Sequence, residues 1–464
     1  MVPTISDMQT TPDLSIIIPV GAGETALPAL LARLPLADTR LEIIVAATSA
    51  PPESFVPTDS LRWMTLPKGR ARQMNLAAQS ARGRFLWFLH ADSSISDTHL
   101  NEVRRAVADD RDALHYFKLR FRGDGPRLMK LNAGAANLRS RYLGMPFGDQ
   151  AFLIKRNLFW ELGGYDEKAT YGEDHLLAWA TRRSGHPLVE LPEFIETSAR
   201  KYHRSGWLKT TGLHLKMTYA QALPEFLKLV AGKAPEKTPA VACFVKTPGL
   251  SPIKSRLAKT IGEGGALEVY RGCVERLRQE LGDLPEKGIT PYWAVAESGG
   301  LANAMWNDFS IVSQGEGSLG ERLGTVYEHL LAKHSAVVFI GADCPLVDAE
   351  SIATAVGRLG PSTPYALGPT SDGGYYLFAG ARPVEPSAWL DVPYSAENTH
   401  AVFKSLLEKS GTVAALPPLF DIDEREDLEK MVEVLRDQEA PLAALARNFE
   451  TILSRARPSA SVLQ

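Results

Sequence analysis

The chain has 464 residues, of which 23% are charged and 45% hydrophobic, and its formal net charge is −3. This length exceeds what one hydrophobic core usually serves and favours two domains. The near-neutral charge provides no basic field for nucleic acid, and three widely spaced cysteines are typical of a reducing cytoplasm rather than of a zinc or disulfide framework.

No apolar run has the length of a membrane span, and residues 1–13 lack the basic-then-apolar order of a signal peptide. Residues 207–230 mix aromatic and basic side chains, a composition that also suits a membrane surface. We nevertheless expect this segment to be a helix packed on its own domain. These features together predict a cytoplasmic protein.

Short apolar runs in the first half predict buried strands, beginning at 14–19 and 41–45. Residues 69–81 predict a helix that begins with a glycine, Arg70 and Arg72. Backbone N–H groups, the helix dipole and two guanidinium groups favour a bound diphosphate there. A solvated basic helix start explains the same segment equally well when it is taken alone.

An aspartate follows the next predicted strand, because residues 84–89 lead through His90 to Asp92. Open α/β sheets bind ligands beyond the carboxyl ends of their strands, and a carboxylate there can hold a divalent cation on nucleotide phosphates. Aspartate also starts turns and caps helices, so this position has a purely structural explanation as well.

Two further acidic motifs occur in the first half. Asp149 and Gln150 precede an apolar strand at 151–154 and offer polar contacts to an acceptor, or else form a plain turn. Glu173 and Asp174 begin an amphipathic helix. They either complement the helix dipole or supply a general base that deprotonates an acceptor hydroxyl.

Residues 231–239 are polar and contain proline and glycine, so they predict a linker between a first domain at 13–230 and a second at 240–440. The small, polar residues 458–464 predict a disordered tail. In the second half, strands are expected near 241–245, 291–296, 336–340, 365–369 and 375–378, and helices near 265–280, 319–333, 349–359 and 396–409. This alternation predicts a mainly parallel sheet in each half.

A basic loop follows the first strand of the second half. It carries Lys246, Lys254 and Arg256, and the order strand, basic loop, helix favours a bound phosphate over a solvated loop.

Acids follow three later runs of the second half that are expected to be strands, at Asp343, Asp372 and Asp423. We expect Asp343 and Asp372 to share one cation, because a cation that bridges phosphates needs acids from more than one strand end. The adjacent Gly373 and Gly374 are expected to let the backbone approach a ligand closely.

The motifs of the first half, in this order, resemble glycosyltransferase family 2, which has the GT-A fold. More narrowly, they resemble its radical-SAM/selenodomain-associated branch, whose members have been linked to arsenosugar biosynthesis. The resemblance covers about residues 13–230 and rests on residues 69–75, 88–92, 148–150 and 173–174. It implies that Asp92 closes a metal-binding motif and that Asp174, with Glu173 beside it, is the catalytic base.

One departure from that family pattern concerns the donor. Family members usually carry an acid after the second strand that helps to hold the nucleoside, whereas residues 45–50 contain none. Either the nucleoside is held differently or this domain has lost donor binding.

The second half resembles the radical-SAM/selenodomain-associated transferase 1 family, a GT-A-like group related to nucleotidyltransferases such as 2-phospholactate guanylyltransferase. The resemblance covers about 240–435 and rests on residues 246–248, 254–257, 319–322, 341–345, 372–376 and 421–423. It implies metal and phosphate-side roles for Asp343, Asp372 and Asp423, and phosphate contacts by Lys246, Lys254 and Arg256. Ser251 stands where family members usually have a glycine.

The sequence therefore predicts two tandem GT-A-like α/β domains with mainly parallel sheets. The expected function is bifunctional glycosyl transfer from a nucleotide-sugar to the hydroxyl of a small-molecule acceptor, dependent on Mg²⁺ or Mn²⁺. In one alternative the second domain is a nucleotidyltransferase, binding a nucleoside triphosphate, that makes the activated donor. In another the first domain is a degenerate binding module. Neither nucleic acid nor a membrane span is expected, and the oligomeric state stays open.

Overall fold

The computed structural model describes residues 12–124, 126, 128–199, 207–233 and 237–456. The chain divides into two compact units, Met1–Glu236 and Lys237–Gln464. This division falls within the stretch expected to be a linker, of which residues 234–236 lie outside the described residues. The tail expected at 458–464 also lies outside them.

The first unit is an α/β sandwich around one seven-stranded sheet. Its strands are β1 (Leu14–Val20), β2 (Leu41–Ala47), β3 (Leu61–Thr65), β4 (Phe85–Phe88), β5 (Leu114–Phe121), β6 (Leu153–Lys155) and β7 (Leu188–Thr197). Its helices are α1 (Leu27–Leu31), α2 (Arg70–Ser80), α3 (Asp97–Asp109), α4 (Met129–Leu143), α5 (Arg156–Glu161), α6 (Glu173–Arg183) and α7 (Trp207–Val230).

The second unit has a second seven-stranded sheet. Its strands are β8 (Ala240–Val245), β9 (Thr290–Val295), β10 (Ser310–Ser313), β11 (Val337–Gly341), β12 (Tyr365–Pro369), β13 (Tyr375–Gly380) and β14 (Val413–Ala415). Its helices are α8 (Ser255–Asp283), α9 (Leu319–Lys333), α10 (Ala349–Gly357), α11 (Pro386–Leu390), α12 (Thr399–Glu408), α13 (Arg425–Arg436) and α14 (Ala440–Arg455).

The two sheets have the same topology. The strand orders are β3-β2-β1-β4-β6-β5-β7 and β10-β9-β8-β11-β13-β12-β14. In each sheet one strand, β6 or β13, runs antiparallel to both of its neighbours, and the other pairs are parallel. The expectation of mainly parallel sheets is confirmed. In each sheet, successive strands are added on one side of the first strand, β1 or β8, and then on its other side. At such a switch point a crevice forms beyond the carboxyl ends of the strands, here β1 and β4 in the first unit and β8 and β11 in the second.

The central strands are nearly continuous apolar runs because helices cover both of their faces. All seven residues of β2 and all four of β4 are buried, as is nearly all of β8 and β11. Each unit has its own core, built from side chains of the central strands and the helices that pack on them, and in the second unit a further apolar cluster joins α8, α13 and α14.

One strand expected from the sequence is absent. Residues 421–423 are not in a strand; β14 ends at Ala415, and only an isolated bridge between Thr370 and Leu419 follows before α13. Pro417 and Pro418 explain this difference, because proline has no N–H to donate to a sheet ladder. Asp423 therefore lies in an irregular segment rather than at a strand end.

A buried glutamine ties together the ends of the first two strands in each unit. Gln73 of α2 donates through Nε2 to the carbonyl oxygens of Val20, at 3.1 Å, and Ala46, at 2.6 Å. Gln314, which follows β10, donates in the same way to Val245, at 3.4 Å, and to Ala294, at 2.8 Å. The two glutamines come from different elements, yet each fixes the edge of its crevice.

None of the described helices combines the length and the apolar character needed to cross a membrane. The longest in the first unit, α7, packs on its own domain as expected. It does so through Thr210, Thr218, Ala222 and Glu225, the residues of this helix that are buried.

Replacement of the glutamine in the second unit tests its structural role. Gln314→Leu leaves the carbonyl oxygens of Val245 and Ala294 without their side-chain donor, so we expect the free energy of unfolding to fall by roughly 1–3 kcal/mol. Urea denaturation followed by tryptophan fluorescence measures this change. Gln438→Leu, at an exposed position, is the matched control and should be near neutral. Equal effects of the two substitutions would contradict the assignment.

Candidate functional site

The segment after β4 brings Asp92 to the crevice of the first unit. The N–H of Leu89 still donates to Ile17 of β1, at 3.0 Å, and the chain then turns through a hydrogen bond from Ser93 N to the carbonyl of His90, also at 3.0 Å. Asp92 is half-buried beyond this turn. The sequence expectation of an acid just past the end of β4 is therefore met in the structure.

Few protein groups engage the carboxylate of Asp92. Its Oδ2 lies 3.4 Å from the hydroxyl of Thr197, a long contact. Its backbone carbonyl accepts a hydrogen bond of 2.7 Å from Arg122, which fixes the loop. The backbone is thus held while the carboxylate has capacity for a further ligand.

Glu173 and Asp174 begin α6, and both are buried, at 6% and 4% exposure. Asp174 accepts hydrogen bonds from the N–H of Gly148 through Oδ2, at 2.6 Å, and from the N–H of His175 through Oδ1, at 2.8 Å. A Cβ at residue 148 would lie 2.6 Å from Oδ2, so only glycine allows this contact without a shift. The acid is positioned by backbone donors.

Arg70 contacts both of these acids. Its Nε donates to Glu173 at 2.5 Å and its Nη2 to Asp174 at 3.4 Å. Burial lowers the pKa of Arg70, but Asp174 and Glu173 outweigh it, and the pKa is raised overall. The sequence predicted Arg70 as a phosphate ligand; the structure places its guanidinium on the acidic pair at the start of α6.

His90 lies among the charged groups of the crevice. Burial, followed by the charge of Arg70, lowers the pKa of His90, whereas Asp149, Asp92 and Asp174 raise it, and the net pKa is below 6.5. The acids predicted from three separate motifs thus act on one imidazole. From the sequence, His90 was predicted only as part of the run that leads to Asp92. Its position just after the predicted strand nevertheless indicated that it lies at the crevice.

Tyr165 is a second residue that the sequence analysis missed. Burial and the charge of Asp174 raise the pKa of its hydroxyl, while Arg70 lowers it. No local sequence signal identifies Tyr165, because it reaches the acids only through the packing of a loop between α5 and α6.

Gln150 does not have the role expected from the sequence. It is fully buried at 0% exposure, its Oε1 accepts from Ser140, at 2.8 Å, and from Phe147 N, at 3.1 Å, and its Nε2 donates to Phe117 O at 2.9 Å. Because these contacts engage both ends of the amide, Gln150 is a structural residue and not an acceptor contact. The neighbouring Asp149 is half-buried and acts on His90.

Arg72 contacts a different acid from those contacted by Arg70. Its Nε pairs with Glu167 at 3.2 Å, and the same glutamate accepts a hydrogen bond of 2.9 Å from Asn75. These contacts tie α2 to the loop between α5 and α6.

In the second unit, four carboxylates gather near the carboxyl ends of β11 and β12. Burial is the largest effect on Asp421 and, with the charges of Asp343, Asp372 and Asp423, raises its pKa to about 7. Burial, Asp343 and Asp372 also raise the pKa of Asp423, against Lys254 and Arg256. The sequence motif that ends at Asp423 contains Asp421, but Asp421 was not predicted as a site residue. Only the folded structure shows that it belongs to this cluster.

The basic residues of this unit lie in part against the same segment. Lys254 donates through Nζ to the carbonyl of Ile422, and Arg256 pairs with Asp423 at 3.1 Å. Lys246 is exposed and its Nζ lies 3.4 Å from the carbonyl of Pro252. The loop after β8 and the segment before α13 therefore form one charged surface.

The glycines beside Asp372 have a structural reason different from the expected one. Gly373 has φ +90°, and a Cβ there would lie 1.8 Å from the carbonyl oxygen of Glu397. At Gly374 a Cβ would lie 2.8 Å from the hydroxyl of Thr370. Neighbouring parts of the chain, rather than a ligand, fill the space beside both glycines, which corrects the expectation for them.

In the second unit an acid, Glu297, follows the second strand of the sheet. The first unit has no acid at the corresponding place. Glu297 follows β9, and its Oε2 accepts a hydrogen bond of 2.8 Å from the N–H of Thr247. Its Oε1 is buried without a hydrogen-bond partner among the described residues. A buried oxygen of this kind calls for a donor. The motif was not recognised in the sequence because one acid after a strand is a weak signal.

Within the described ranges, no three His, Cys, Asp or Glu side chains form a ready metal-binding group. Magnesium and similar cations are commonly bound by one or two carboxylates together with substrate phosphates, rather than by a cage of protein ligands. The carboxylates at Asp92 and at Asp343 fit that second type of site.

A protein-family model matches residues 290–396, within the second unit; the family is described as "Uncharacterized protein conserved in bacteria (DUF2064)". A comparison with curated proteins finds no match.

Several solved structures are similar to the chain. One is a candidate nucleotide-diphospho-sugar transferase from Desulfovibrio desulfuricans G20, with 22% identity over 48% of this chain and 99% of that one and a TM-score of 0.43. Another is S. aureus TarS in complex with UDP-GlcNAc, with 18% identity over 40% of this chain and 59% of that one and a TM-score of 0.32. A third is GalNAc-T7 with UDP, GalNAc and Mn²⁺, with 15% identity over 41% of this chain and 45% of that one and a TM-score of 0.32.

At these identities the similarities concern the fold. The strand order and directions of both sheets give the expected fold class, two tandem GT-A-like α/β domains with mainly parallel sheets.

The raised pKa of Asp421 predicts a pH dependence of stability. In the unfolded chain the carboxyl group of Asp421 loses its proton near pH 3.8, whereas in the folded chain it keeps that proton up to about pH 7. The free energy of unfolding therefore decreases as the pH rises through this window, and the loss is complete above it. Asp421→Asn removes the effect, so we expect it to raise the melting temperature by at least about 3 °C at pH 8, and much less at about pH 4.5.

Differential scanning fluorimetry in EDTA at both pH values measures this shift. Asp437→Asn, a replacement outside the acidic cluster, is the control and should show no pH-dependent difference. A stabilisation by Asp421→Asn that is equal at the two pH values would contradict the assigned cause.

Proposed function

We propose that the first unit transfers a glycosyl group from a nucleotide-sugar donor to the hydroxyl of a small-molecule acceptor, with Mg²⁺ or Mn²⁺ as cofactor. The observation that carries the proposal is the placement of the crevice groups: Asp92, Asp149, Asp174 and Arg70 all act electrostatically on His90, and Arg70 also contacts Glu173 and Asp174. Such crevices are where open α/β sheets bind nucleotides.

Asp92 is the proposed cation ligand. Its carboxylate is half-buried, lies just past the end of β4, and has only the long contact with Thr197 among the described residues. A cation bound there would neutralise the charge that develops on the leaving diphosphate. His90, held neutral near pH 7 by its lowered pKa, adds no positive charge that would compete with the cation.

Asp174 is the proposed general base. Transfer to a hydroxyl moves the acceptor proton to the base as the acceptor oxygen bonds to the sugar carbon and the bond to the diphosphate breaks. Asp174 is held by the N–H groups of Gly148 and His175, so its position does not depend on a flexible side chain. Glu173 has the closer ion pair with Arg70, at 2.5 Å against 3.4 Å for Asp174.

Arg70 is proposed as a positioning residue. Its contacts with Glu173 and Asp174 hold both carboxyl groups in place at the start of α6. Asp149 remains the proposed acceptor-side residue, since it is half-buried and acts on His90.

For the second unit we propose binding of a nucleoside triphosphate or nucleotide-sugar. A divalent cation between Asp343 and Asp372 would relieve the repulsion that raises the pKa of Asp421. Lys254 and Arg256 lie beside the acids for contacts with phosphate, and Lys246 is exposed in the same loop.

A nucleotidyltransferase that makes the activated donor is the second candidate for this unit. Glu297 fits it, because its buried oxygen beyond β9, unpartnered among the described residues, can accept a hydrogen bond from a ribose hydroxyl or a base; a nucleotide-sugar offers the same donors, so Glu297 does not distinguish the two candidates. The sugar-transfer and nucleotidyl-transfer candidates differ in their product: only the second releases pyrophosphate from a triphosphate and a sugar phosphate.

The first experiment tests cation-dependent nucleotide binding in the full-length protein. We expect Asp92→Asn to weaken the binding of a nucleoside diphosphate with Mn²⁺ at least about tenfold, because a metal ligand is lost. Calorimetry with UDP, GDP, ADP and CDP, with and without EDTA, measures it. Asp59→Asn, at an exposed position of the same unit, is the matched control and should bind like the wild type. If Asp92→Asn leaves every affinity unchanged, the first unit is not a cation-dependent donor site.

The second experiment concerns the base. Asp174→Asn should lower the rate of nucleotide-sugar hydrolysis by water about a hundredfold or more, with donor affinity near that of the wild type, because proton removal is lost while donor contacts remain. Released nucleoside diphosphate is quantified by chromatography. Glu173→Gln is the control. A large loss in Glu173→Gln with a normal rate in Asp174→Asn would assign the base to the other carboxylate.

A further inference from the structure

The helix α7 places large apolar side chains in solvent. Six of its exposed large apolar residues recur every three, four or seven positions and form one stripe: Leu208, Leu215, Tyr219, Leu223, Phe226 and Val230; Leu213 and Leu227 are also exposed, outside this stripe. Leu208 is 80% exposed and Val230 69%. This distribution is the reverse of that expected for a helix that packs on a core with its apolar face.

Polar contacts beside the apolar stripe hold α7 to the domain. Asn132 of α4 donates to Thr211 at 3.0 Å and accepts a hydrogen bond of 3.2 Å from the indole of Trp207. Near the other end, Glu225 pairs with Arg183 of α6. Because these contacts determine the rotation of the helix, its apolar stripe must point outward.

The neighbouring helix α4 extends the exposed apolar surface. Leu131 and Leu138 are 64% and 60% exposed, and Tyr142 is 71% exposed. These three residues are spaced by seven and four positions, so they lie on one side of α4. The exposed residues of the two helices are here named the α4–α7 face. Clusters of exposed apolar residues of this size mark interaction surfaces.

This face carries more basic than acidic side chains, although the whole chain has a net charge of −3. The exposed basic residues of the two helices are Lys130, Arg141, Lys209, Lys216 and Lys228, of which Lys228 pairs with the buried Glu225, whereas Arg139 is half-buried and lies over the ring of Phe147. Lys209 and Lys216 are exposed and seven residues apart, so they line one edge of the stripe. Lysine at the border of an apolar stripe can place its charge at lipid headgroups while its stem stays in apolar surroundings.

We propose that the α4–α7 face binds the surface of an anionic lipid bilayer, with α7 parallel to the plane of the membrane. An apolar stripe edged by lysines is the pattern of interfacial helices, which add apolar burial to attraction by anionic lipids. A second copy of the chain is a poorer partner, because a two-fold interface would bring this positive face against itself.

The proposal is tested with full-length protein and lipid vesicles. We expect the protein to co-sediment with phosphatidylcholine vesicles that contain about 30% phosphatidylglycerol, and to bind pure phosphatidylcholine vesicles at least about tenfold more weakly. Leu223→Glu with Phe226→Glu, and separately Lys209→Glu with Lys216→Glu, should each weaken binding to the anionic vesicles at least about tenfold. All four positions are exposed, so the fold should be retained, which circular dichroism checks.

Val56→Glu is the matched control, since Val56 is 71% exposed in the same unit but outside α4 and α7. It should bind the anionic vesicles like the wild type. No binding of the wild type to anionic vesicles would overturn the proposal, as would equal binding to neutral ones. A concentration-dependent dimer that the Leu223→Glu and Phe226→Glu substitutions abolish, without vesicle binding, would assign the face to a second copy instead.

Discussion

Both candidate sites depend on the crevice that forms beyond the carboxyl ends of the strands in each sheet. A crevice can form there only if backbone groups at the ends of the first two strands keep hydrogen-bond partners, because unpaired buried groups are costly. Gln73 and Gln314 each add one amide nitrogen between two of these carbonyl oxygens, of which Val20 and Val245 also accept from the N–H groups of Thr48 and Ala296. The same problem is solved from a helix in the first unit and from a strand end in the second.

Once the crevice exists, the two units treat their acids differently. In the first, Arg70 lies on Glu173 and Asp174, so the acids at the start of α6 are balanced by a protein cation. In the second, burial and the charges of the neighbouring aspartates raise the pKa of Asp421 to about 7. The acids of the first unit are thus balanced within the protein, whereas a bound cation would offset the repulsion among those of the second.

In the first unit, the outer helix α7 uses one side for polar contacts and leaves another, apolar side exposed. The inner side of α7 is used for polar contacts with Asn132 and Arg183, which leaves its apolar stripe to solvent. The inner side also reaches the candidate site, because Gln221 contacts His175 at 2.9 Å. One helix therefore separates the exposed apolar surface from the carboxylates at the start of α6.

Much of the fold follows from the sequence alone. Apolar runs such as β2 and β11 can only be buried strands, and an acid directly after such a run, as at Asp343, must lie at the edge of the sheet. Contacts between distant segments could not be read from the chain. Gln150 has the composition of a ligand contact, but its amide is used by Phe117 and Ser140. His90 and Asp421 gain their surroundings only from packing, because an electrostatic environment is set by neighbours in space rather than in sequence.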